Sequence, residues 1–370
     1  MTTFYKTAET YKLGSKTLSQ KYYTDNKIFQ QEFNKIFSKS WLCCGRSNEI
    51  LLRGSFITKD IGNDSILILR DNDNKIRAFH NICRHRGTLI CKSTQGTFSK
   101  TIQCPYHGWT YDLNGHLSGA PNMNEISNFN KSDYPLYPIQ VKDWGGFIFI
   151  NLSNKKSNFN QYFSSIQSKL SEWGIDGLIT CEEKSYTVNS NWKLIVQNYS
   201  ECYHCPIIHP KLSDITHYKG GRNDLTSGPI LGGYMEMNQN SITNNGELSG
   251  PYIGELSADK KNKVYYYSIF PNMLLSLHPD YIMVHTVWPN DIDKCEIKCK
   301  WLFSKEVKRS HYNPNNAIEF WDKTNQEDWK ICEQSQLGIN SNSYKPGPYS
   351  AQESLLAAFD KYYLSILDSN

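Results

Sequence analysis

The chain has 370 residues, which is long enough for two domains that each bury a core. Its formal net charge of +4, from 40 basic and 36 acidic residues, argues against nucleic acid or a membrane surface as a partner. No apolar run is long enough to span a bilayer, no secretory signal is visible at the N-terminus, and the 11 cysteines show no disulfide framework, so the sequence predicts a cytoplasmic protein.

The first part of the chain predicts a lead-in followed by a small β domain. Within residues 1–40, apolar side chains recur at helical spacing over 25–37, which predicts a helix that packs on the second domain. Short β-like runs and hairpin turns such as 71–74 follow from Trp41 onward. We expect an all-β domain over 41–152, which ends before an Asn/Ser/Lys-rich linker.

The remainder, residues 160–370, mixes helices and strands and predicts an α+β domain. The helical patterns cover 159–173, 192–205, 315–336 and 351–367. The strand patterns cover 181–191, 263–270, 280–288 and 295–303. A stretch of weak periodicity over 219–262, rich in Gly, Asn and Ser, predicts loops that cover a pocket.

The β domain carries a cysteine–histidine pattern with metal-ligand spacing. Cys83 and His85 are separated by eighteen residues from Cys104 and His107. This C-x-H…C-x2-H order fits a Rieske [2Fe–2S] centre, in which two thiolates hold one iron and two imidazoles hold the other. A structural zinc site also uses two Cys and two His, although zinc fingers commonly begin with paired Cys and end with paired His.

A second group of candidate ligands lies in the sequence Trp192–Pro210. Glu201 and His204 are three residues apart and would share one face of a continuous helix. Pro206 and Pro210 would break that helix and let His204 and His209 turn toward one point. Two His and a carboxylate form the facial triad of non-haem Fe(II) oxygenases. Taken alone, the motif also fits two partly buried histidines without a metal, and the upstream cluster favours iron.

The third iron ligand has to be a distant carboxylate. The predicted helix at 315–336 offers five candidates: Glu319, Asp322, Glu327, Asp328 and Glu333. Helical spacing puts Asp328 on one face with Trp321 and Cys332, and that face is expected to point inward. Glu327 is expected to be more solvated. Spacing therefore favours Asp328 and leaves the other four open.

Together, the cluster motif and the pattern N-Y-x-E-C-Y-H-C-P-x-x-H-P at 198–210 resemble the catalytic α subunits of the Rieske non-haem iron oxygenases. The resemblance extends from about residue 22 to 367. It implies a [2Fe–2S] cluster on Cys83, His85, Cys104 and His107, and a mononuclear Fe(II) on His204, His209 and Asp328. It also implies that Glu201 bridges the iron site to the cluster of a neighbouring subunit. Glu rather than Asp at this position resembles the branch that acts on quaternary ammonium compounds.

The resemblance has implications for fold and partners as well. It implies a Rieske β-sandwich domain plus a helix-grip domain of the START/Bet v 1 type, assembled as a homotrimer or a multiple of three. The sequence shows neither a dinucleotide fingerprint nor a plant-type ferredoxin run, so electrons from NAD(P)H are expected through a separate reductase. An additional β subunit stays open.

Stretches at 277–289 and 320–328 resemble glycine betaine and stachydrine demethylases. We therefore expect O2 and two electrons to hydroxylate an N-methyl carbon of a small betaine, with loss of formaldehyde. Aromatic faces suit a quaternary ammonium group, and the predicted pocket walls are Tyr203, Tyr265, Tyr267, Tyr281 and Trp288. The alternatives are an aromatic ring-hydroxylating oxygenase, and an electron-transfer Rieske protein without mononuclear iron.

Overall fold

The computed structural model describes residues 15–309 and 311–369. The first fourteen residues of the predicted lead-in lie outside the described residues. The chain divides into two compact units. We call residues 37–159 the β unit, and the residues up to 36 together with those from 160 onward the mixed unit. No helix of the described residues combines the length and the apolar character needed to cross a membrane.

Strands account for almost all regular structure of the β unit. They are β1 (Leu42–Arg46), β2 (Ser55–Ile61), β3 (Asp64–Arg70), β4 (Ile76–His80), β5 (Gln95–Thr97), β6 (Thr101–Gln103), β7 (Thr110–Asp112), β8 (Leu117–Gly119), β9 (Pro138–Trp144) and β10 (Phe147–Asn151). Seven of them form an antiparallel sheet in the order β1-β10-β9-β4-β3-β2-β5, and β6-β7-β8 form a smaller sheet. All five residues of β10 are buried, as its continuous apolar run predicts.

The cysteine–histidine segments of the β unit are connections between strands. The first follows β4, and the second is the turn between β6 and β7, where Gln103 pairs with Thr110. The next hairpin turn, between β7 and β8, is closed by Asp112, whose amide donates to the carbonyl of His116 at 2.9 Å. Gly115 in this turn has φ +87°, and a Cβ there would lie 2.5 Å from the ring of Phe79. Glycine is therefore required at this turn.

The mixed unit contains the helices and a second sheet. Its helices are α1 (Lys21–Thr24), α2 (Asn26–Glu32), α3 (Phe159–Leu170), α4 (Trp192–Tyr199), α5 (Cys205–Ile208), α6 (Pro210–Ile215), α7 (Ala258–Lys261), α8 (Asn315–Ile339) and α9 (Ser354–Leu367). Its strands are β11 (Ile179–Val188), β12 (Gly221–Leu225), β13 (Ile230–Glu236), β14 (Lys263–Ile269), β15 (Met273–Leu277), β16 (Ile282–Asp291) and β17 (Lys294–Phe303). The strands form one antiparallel sheet in the order β11-β17-β16-β15-β14-β13-β12.

The loop prediction for 219–262 is wrong at its start, because β12 and β13 lie there as paired strands. Glycines concealed the strand pattern. A Cβ at Gly233 would lie 1.8 Å from the carbonyl oxygen of Arg222, and one at Gly232 would lie 2.1 Å from that of Tyr266. These glycines allow close backbone approach, and they also remove the side chains from which the alternation of a strand is recognised.

The long helix α8 is tied to the sheet and to α4 by polar contacts. Asp322 accepts hydrogen bonds from Lys184 and Tyr186 of β11, both at 2.6 Å. Further along α8, the side-chain oxygen of Gln336 accepts from the backbone amide of Asn191, which caps the start of α4, at 2.9 Å. These contacts fix α8 relative to the segment that follows α4.

A buried carboxylate links the lead-in to two helices of the mixed unit. Glu32 at the end of α2 is fully buried. It accepts from the indole nitrogen of Trp192 at 2.7 Å, from Nζ of Lys193 at 2.5 Å and from the hydroxyl of Tyr363 at 2.6 Å. Burial lowers the pKa of Lys193, although the carboxylate of Glu32 opposes that shift. Each of these groups depends on the others for its hydrogen bonds.

Removal of the Glu32 carboxylate should therefore make the mixed unit less stable to unfolding. We expect Glu32→Ala to lower the free energy of unfolding by about 3–5 kcal/mol, because it leaves the ammonium of Lys193 buried without a counter-charge. Urea unfolding followed by tryptophan fluorescence would measure the change. The exposed Glu306 offers a matched control, since Glu306→Ala should change stability by no more than about 0.5 kcal/mol. Equal stability of the two variants would contradict the expectation.

Candidate metal centres and active site

The two cysteine–histidine loops of the β unit share one backbone conformation. In the first loop the amide of Gly87 donates to the carbonyl of Cys83 at 2.9 Å, and in the second the amide of Gly108 donates to that of Cys104 at 3.2 Å. Both glycines have a left-handed φ, 71° and 70°, which glycine adopts without steric cost. The repeated turn presents one cysteine and one histidine from each loop in equivalent positions.

The four side chains of these loops separate by type. Cys83 and Cys104 are buried at 3 % exposure and carry free thiols, whereas His85 and His107 are exposed and their ring centroids lie 4.7 Å apart. Burial raises the pKa of Cys104 and lowers that of His85. A buried thiolate needs an adjacent positive charge. A metal cluster supplies that charge, so two buried cysteines and two adjacent histidines fit a [2Fe–2S] centre.

The segment that carries Glu201 is not helical, contrary to the sequence prediction. Helix α4 ends at Tyr199, and α5 begins only at Cys205. His204 precedes α5, and His209 lies between α5 and α6 with φ −125° and ψ 64°, outside the helical region. The predicted break between the two histidines is thus present. The preceding helix is also shorter than predicted, because it ends at Tyr199 and not at Pro206.

The break brings His204 and His209 to one carboxylate. Oδ1 of Asp328 lies 2.8 Å from Nε2 of His209 and 3.3 Å from Nε2 of His204. One ligand atom from each of the three residues lies within 4.8 Å of the other two. Two imidazoles and one carboxylate in this arrangement can hold a single metal ion and leave other coordination positions open.

The other carboxylates of α8 are engaged elsewhere, with one exception. Asp322 binds β11, Glu319 accepts from Asn244 at 3.2 Å, and Glu333 accepts from the backbone amide of Asn189 at 2.8 Å. The structure thus brings Asp328 rather than these three to the histidines.

The exception is Glu327, whose role the sequence did not reveal. Its Oε2 lies 2.8 Å from Nδ1 of His209, although its side chain is 32 % exposed. On the other histidine, Nδ1 of His204 lies 2.5 Å from Oε1 of Glu201, and Glu201 also accepts from the backbone amide of Tyr203. Each imidazole can donate Nδ1–H to a glutamate and direct Nε2 toward Asp328. This is the orientation that a metal-ligating histidine requires.

The electrostatics of this group favour a cation at its centre. Burial lowers the pKa of His204, but hydrogen bonds to Asp328 and Glu201 outweigh it and raise the pKa to about 10. Burial raises the pKa of Asp328, but its bonds to both histidines lower it to about 2. The carboxylates thus attract positive charge to the point where the Nε2 atoms meet Asp328, and a divalent ion supplies such a charge.

A cavity of about 60 Å³, partly open to solvent, adjoins His204, His209 and Asp328. Its aromatic walls are Tyr199, Tyr266, Trp321 and Trp329, and its apolar side chains are Leu212, Met235 and Met283. Its described lining residues include no lysine and no arginine. Burial lowers the pKa of His285, another lining residue, to about 4, so this imidazole is neutral near pH 7.

The five aromatic residues predicted as pocket walls do not line this cavity: Tyr203, Tyr265, Tyr267, Tyr281 and Trp288. On β14, Tyr266 lines the cavity and its neighbours Tyr265 and Tyr267 do not, because successive side chains of a strand point to opposite faces. Tyr281 lies one layer behind, where its hydroxyl accepts from the indole nitrogen of Trp321 at 2.6 Å. Tyr203 is 52 % exposed, on the loop outside the cavity.

A disulfide joins Cys202 to Cys205 in the same loop. The scattered cysteines of the sequence predict no disulfide framework, and the C-x-x-C spacing is the signal that could have indicated this one bridge. The bridge closes a short ring that contains His204, and both cysteines line the cavity. It therefore restricts the loop that positions this histidine.

Comparisons with known proteins identify the family of the chain. The family model described as "Ring hydroxylating alpha subunit (catalytic domain)" matches residues 175–369, and the model described as "Rieske [2Fe-2S] domain" matches residues 40–130. The chain is 31 % identical to the glycine betaine monooxygenase oxygenase subunit of Pseudomonas aeruginosa over 90 % of its own length and 85 % of the relative's. It is 34 % identical to the carnitine monooxygenase oxygenase subunit of Escherichia coli K12, over 54 % and 53 %.

A solved structure shares the fold across nearly the whole chain. It is that of a quaternary ammonium Rieske monooxygenase, described as revealing insights into carnitine oxidation by gut microbiota and inter-subunit electron transfer. The TM-score is 0.81 at 24 % identity, with 96 % of each chain covered. This likeness confirms the predicted α+β fold class, with a Rieske domain and a mixed catalytic domain.

The two domains and two sites together define an oxygenase that pairs an iron–sulfur cluster with a non-haem metal centre. The chain belongs to the Rieske oxygenase α subunits and is an oxidoreductase. The prediction of two cofactors, a Rieske [2Fe–2S] cluster and a mononuclear iron, is confirmed. The electron-transfer protein without mononuclear iron is thereby rejected.

The contact between Glu327 and His209 leads to a testable expectation. Loss of a carboxylate that orients a metal-ligating histidine commonly weakens metal binding by about 10–100-fold, and we expect Glu327→Ala to weaken binding of the mononuclear iron to that extent. Titration of the iron-depleted protein with Fe(II), followed by calorimetry, would measure it. Glu319→Ala, the same change on the same helix, serves as the control and should leave the affinity unchanged. Equal affinities would show that Glu327 does not support His209.

Proposed function

We propose that this chain is the oxygenase component that hydroxylates, and thereby N-demethylates, a small quaternary ammonium or betaine substrate. The observation that carries the proposal is the aromatic cavity beside His204, His209 and Asp328, whose described walls hold no cationic side chain. The glycine betaine and carnitine monooxygenase names of the relatives support the same substrate class.

The proposed ligands follow from the geometry. Cys83, His85, Cys104 and His107 would hold the [2Fe–2S] cluster, and His204, His209 and Asp328 would hold the mononuclear iron. The cluster stores one electron at a time, and the iron supplies the activation of O2. The protein contributes the orientation of both imidazoles through their Nδ1 contacts and the walls that exclude water.

The cavity suits a substrate cation that cannot donate a hydrogen bond. A trimethylammonium group is stabilised by aromatic faces, each contributing about 0.5–2 kcal/mol. Four aromatic residues line the cavity, and Tyr199 and Tyr266 meet edge to face at 6.0 Å. A lysine or arginine in these walls would repel such a cation, and the described lining has neither.

The proposed reaction balances with two electrons from outside the chain. One oxygen atom of O2 enters an N-methyl C–H bond, and the other leaves as water with two protons and two electrons. The resulting N-hydroxymethyl group breaks its C–N bond to release formaldehyde and the demethylated amine. The electrons would come from NAD(P)H through a separate reductase. Thiolate ligands and this electron source suit a reducing compartment, so we propose a cytoplasmic setting.

We propose a homotrimer, or a multiple of three, in which Glu201 links the two metal centres across a subunit contact. Glu201 already contacts Nδ1 of His204, so its carboxylate touches one iron ligand directly. Its other oxygen accepts from the backbone amide of Tyr203, and in the proposed assembly this oxygen would accept a further hydrogen bond from an imidazole of a neighbouring subunit's cluster. A head-to-tail contact of this kind closes naturally into a ring, and inter-subunit electron transfer is named in the description of the similar quaternary ammonium Rieske monooxygenase structure.

A single turnover of the chemically reduced holoenzyme under O2 would test the function. We would offer glycine betaine, choline, carnitine, stachydrine and a simple aromatic acid, and assay formaldehyde and organic products. We expect about one formaldehyde per reduced active site from a quaternary ammonium substrate. A hydroxylated aromatic product, with no formaldehyde from any amine, would instead establish an aromatic ring-hydroxylating oxygenase.

The iron assignment has its own test. Asp328→Ala should remove the mononuclear iron, because it deletes the carboxylate on which both imidazoles converge, and should leave the cluster spectrum intact. Metal analysis with visible absorption would measure both at once, against Asp176→Ala, an exposed aspartate, as control. Retention of the full iron content would remove Asp328 from the ligand set.

A further inference from the structure

One pair of cysteines beside the iron site is joined, whereas the other nine cysteines of the described residues carry free thiols. Cys202 and Cys205 are 6 % and 3 % exposed, and both line the cavity next to His204. Neither sulfur takes part in the proposed oxygenase reaction. The bridge nevertheless lies in the loop that carries a proposed iron ligand, so its state bears on the metal site.

His204 has the weakest local support of the three proposed iron ligands. Asp328 lies within α8, a helix of 25 residues, and the side chain of His209 is only 2 % exposed. His204 instead precedes α5, which has four residues, and a helix this short does not form by itself. The side chain of His204 is also 17 % exposed. Its position thus depends on what closes the loop before α5.

The disulfide closes that loop covalently. It joins Cys202 to Cys205 across two intervening residues, and the backbone amide of Cys205 also donates to the carbonyl of Cys202 at 3.2 Å. Glu201 accepts from the amide of Tyr203 in the same turn. Such hydrogen bonds exchange with water when a loop opens, whereas a covalent bond restricts the opened states as well. Loss of the bridge therefore adds conformations in which His204 no longer faces Asp328.

We propose that Cys202 and Cys205 form a redox switch that sets the affinity of the mononuclear iron site. In the disulfide form the loop holds Nε2 of His204 toward Asp328, and in the dithiol form the loop is released and iron binds more weakly. Opening the bridge takes two electrons and two protons from a thiol reductant, which itself becomes a disulfide. Exchange with a small disulfide closes the bridge again and yields two free thiols. The inference rests on the proposed iron ligands and is independent of the substrate.

The setting and the position of the loop favour exchange. Disulfides of cytoplasmic proteins are commonly transient or redox-sensing, and the proposed setting is cytoplasmic. Exchange requires that a thiolate reach one of the two sulfurs. Tyr203 and Ile207 in this loop are 52 % and 84 % exposed, so the loop lies at the surface of the described unit. A local opening there, which costs less than global unfolding, gives the reductant access.

The redox state can be measured directly. Cleavage after Lys193 and Lys211 releases one peptide that contains both cysteines and no other. Alkylation before digestion gives a peptide with two alkyl groups from the dithiol form and an unmodified, bridged peptide from the disulfide form. We expect the enzyme to pass from the first to the second as the oxidised fraction of a glutathione buffer rises. Two alkylated cysteines in fully oxidised glutathione would overturn the proposal.

The iron affinity is then compared between the two forms. Fe(II) is titrated anaerobically, by calorimetry, into enzyme depleted of mononuclear iron, either bridged or reduced with a phosphine that is removed beforehand. We expect the dithiol form to bind iron about tenfold more weakly, in line with the entropy that a short cross-link removes, and reoxidation to restore the affinity. Backbone amides over 202–209 should exchange hydrogen faster in the iron-free dithiol form.

Variants separate the bridge from other thiols. Cys202→Ser should match the dithiol form and no longer respond to glutathione. Cys181→Ser removes a free thiol of the same unit and should keep the response of the parent enzyme. The cluster spectrum should stay unchanged in both variants.

The outcomes distinguish the switch from the function. If the bridged and reduced forms bind iron equally and exchange hydrogen equally, the bridge does not control the site and the switch is rejected, while formaldehyde release by the parent enzyme keeps the proposed function. If Asp328→Ala retains its iron, the proposed ligand set fails and the switch fails with it. A reversible loss of affinity that Cys202→Ser reproduces and Cys181→Ser does not supports the switch.

Discussion

The structure depends on one carboxylate, Asp328, that lies between two imidazoles and is only 17 % exposed. Such a group is costly to bury unless it is paired with positive charge. Its position requires that α8 be fixed against β11 by Asp322 and against α4 by Gln336. It also requires that the chain leave helix α4 at Tyr199, so that both histidines can face it. The packing of the mixed unit thus holds Asp328 at a position where a bound cation would neutralise it.

The same constraint explains why the site has two carboxylates besides the proposed ligand Asp328. With Asp328 at the metal, each imidazole still has an Nδ1–H to place, and Glu201 and Glu327 accept these protons. Glu327 does so from the more exposed side of α8. Four contacts on two rings leave little rotational freedom, so both Nε2 atoms are preorganised for one ion.

The cluster ligands could be predicted from sequence because their chemistry is local. Each loop contributes a Cys and a His within a few residues, and one glycine per loop permits the turn. The iron site was harder, since Asp328 lies more than a hundred residues from its partners. Helical spacing selected it from five acids, but the same reasoning treated Glu327 as solvated. Periodicity alone cannot show that a partly exposed side chain such as Glu327 contacts a buried histidine.

The errors have physical causes too. The sequence placed Glu201 on a helix because its spacing to His204 suits one, whereas the helix stops at Tyr199 and a loop with a disulfide follows. Tyr265 and Tyr267 were predicted as pocket walls, but Tyr266 between them is the residue of this strand that lines the cavity. In Lys263–Ile269, three consecutive tyrosines give no polar alternation, so nothing in the sequence says which of them faces inward. The pairing of the sheet and the helices packed on it determine that Tyr266 faces the cavity.

Trp329 follows Asp328 on α8, so a wall of the cavity and a proposed iron ligand lie on one helix. Both residues belong to α8, so the walls of the cavity and the iron ligand move as one rigid element. A displacement of this helix would change the metal geometry and the shape of the cavity together. For the proposed oxygenase reaction, this arrangement would hold the metal ligand and the cavity wall in one frame. It also means that residues far from the iron, such as Asp322, contribute to specificity through the position of the helix.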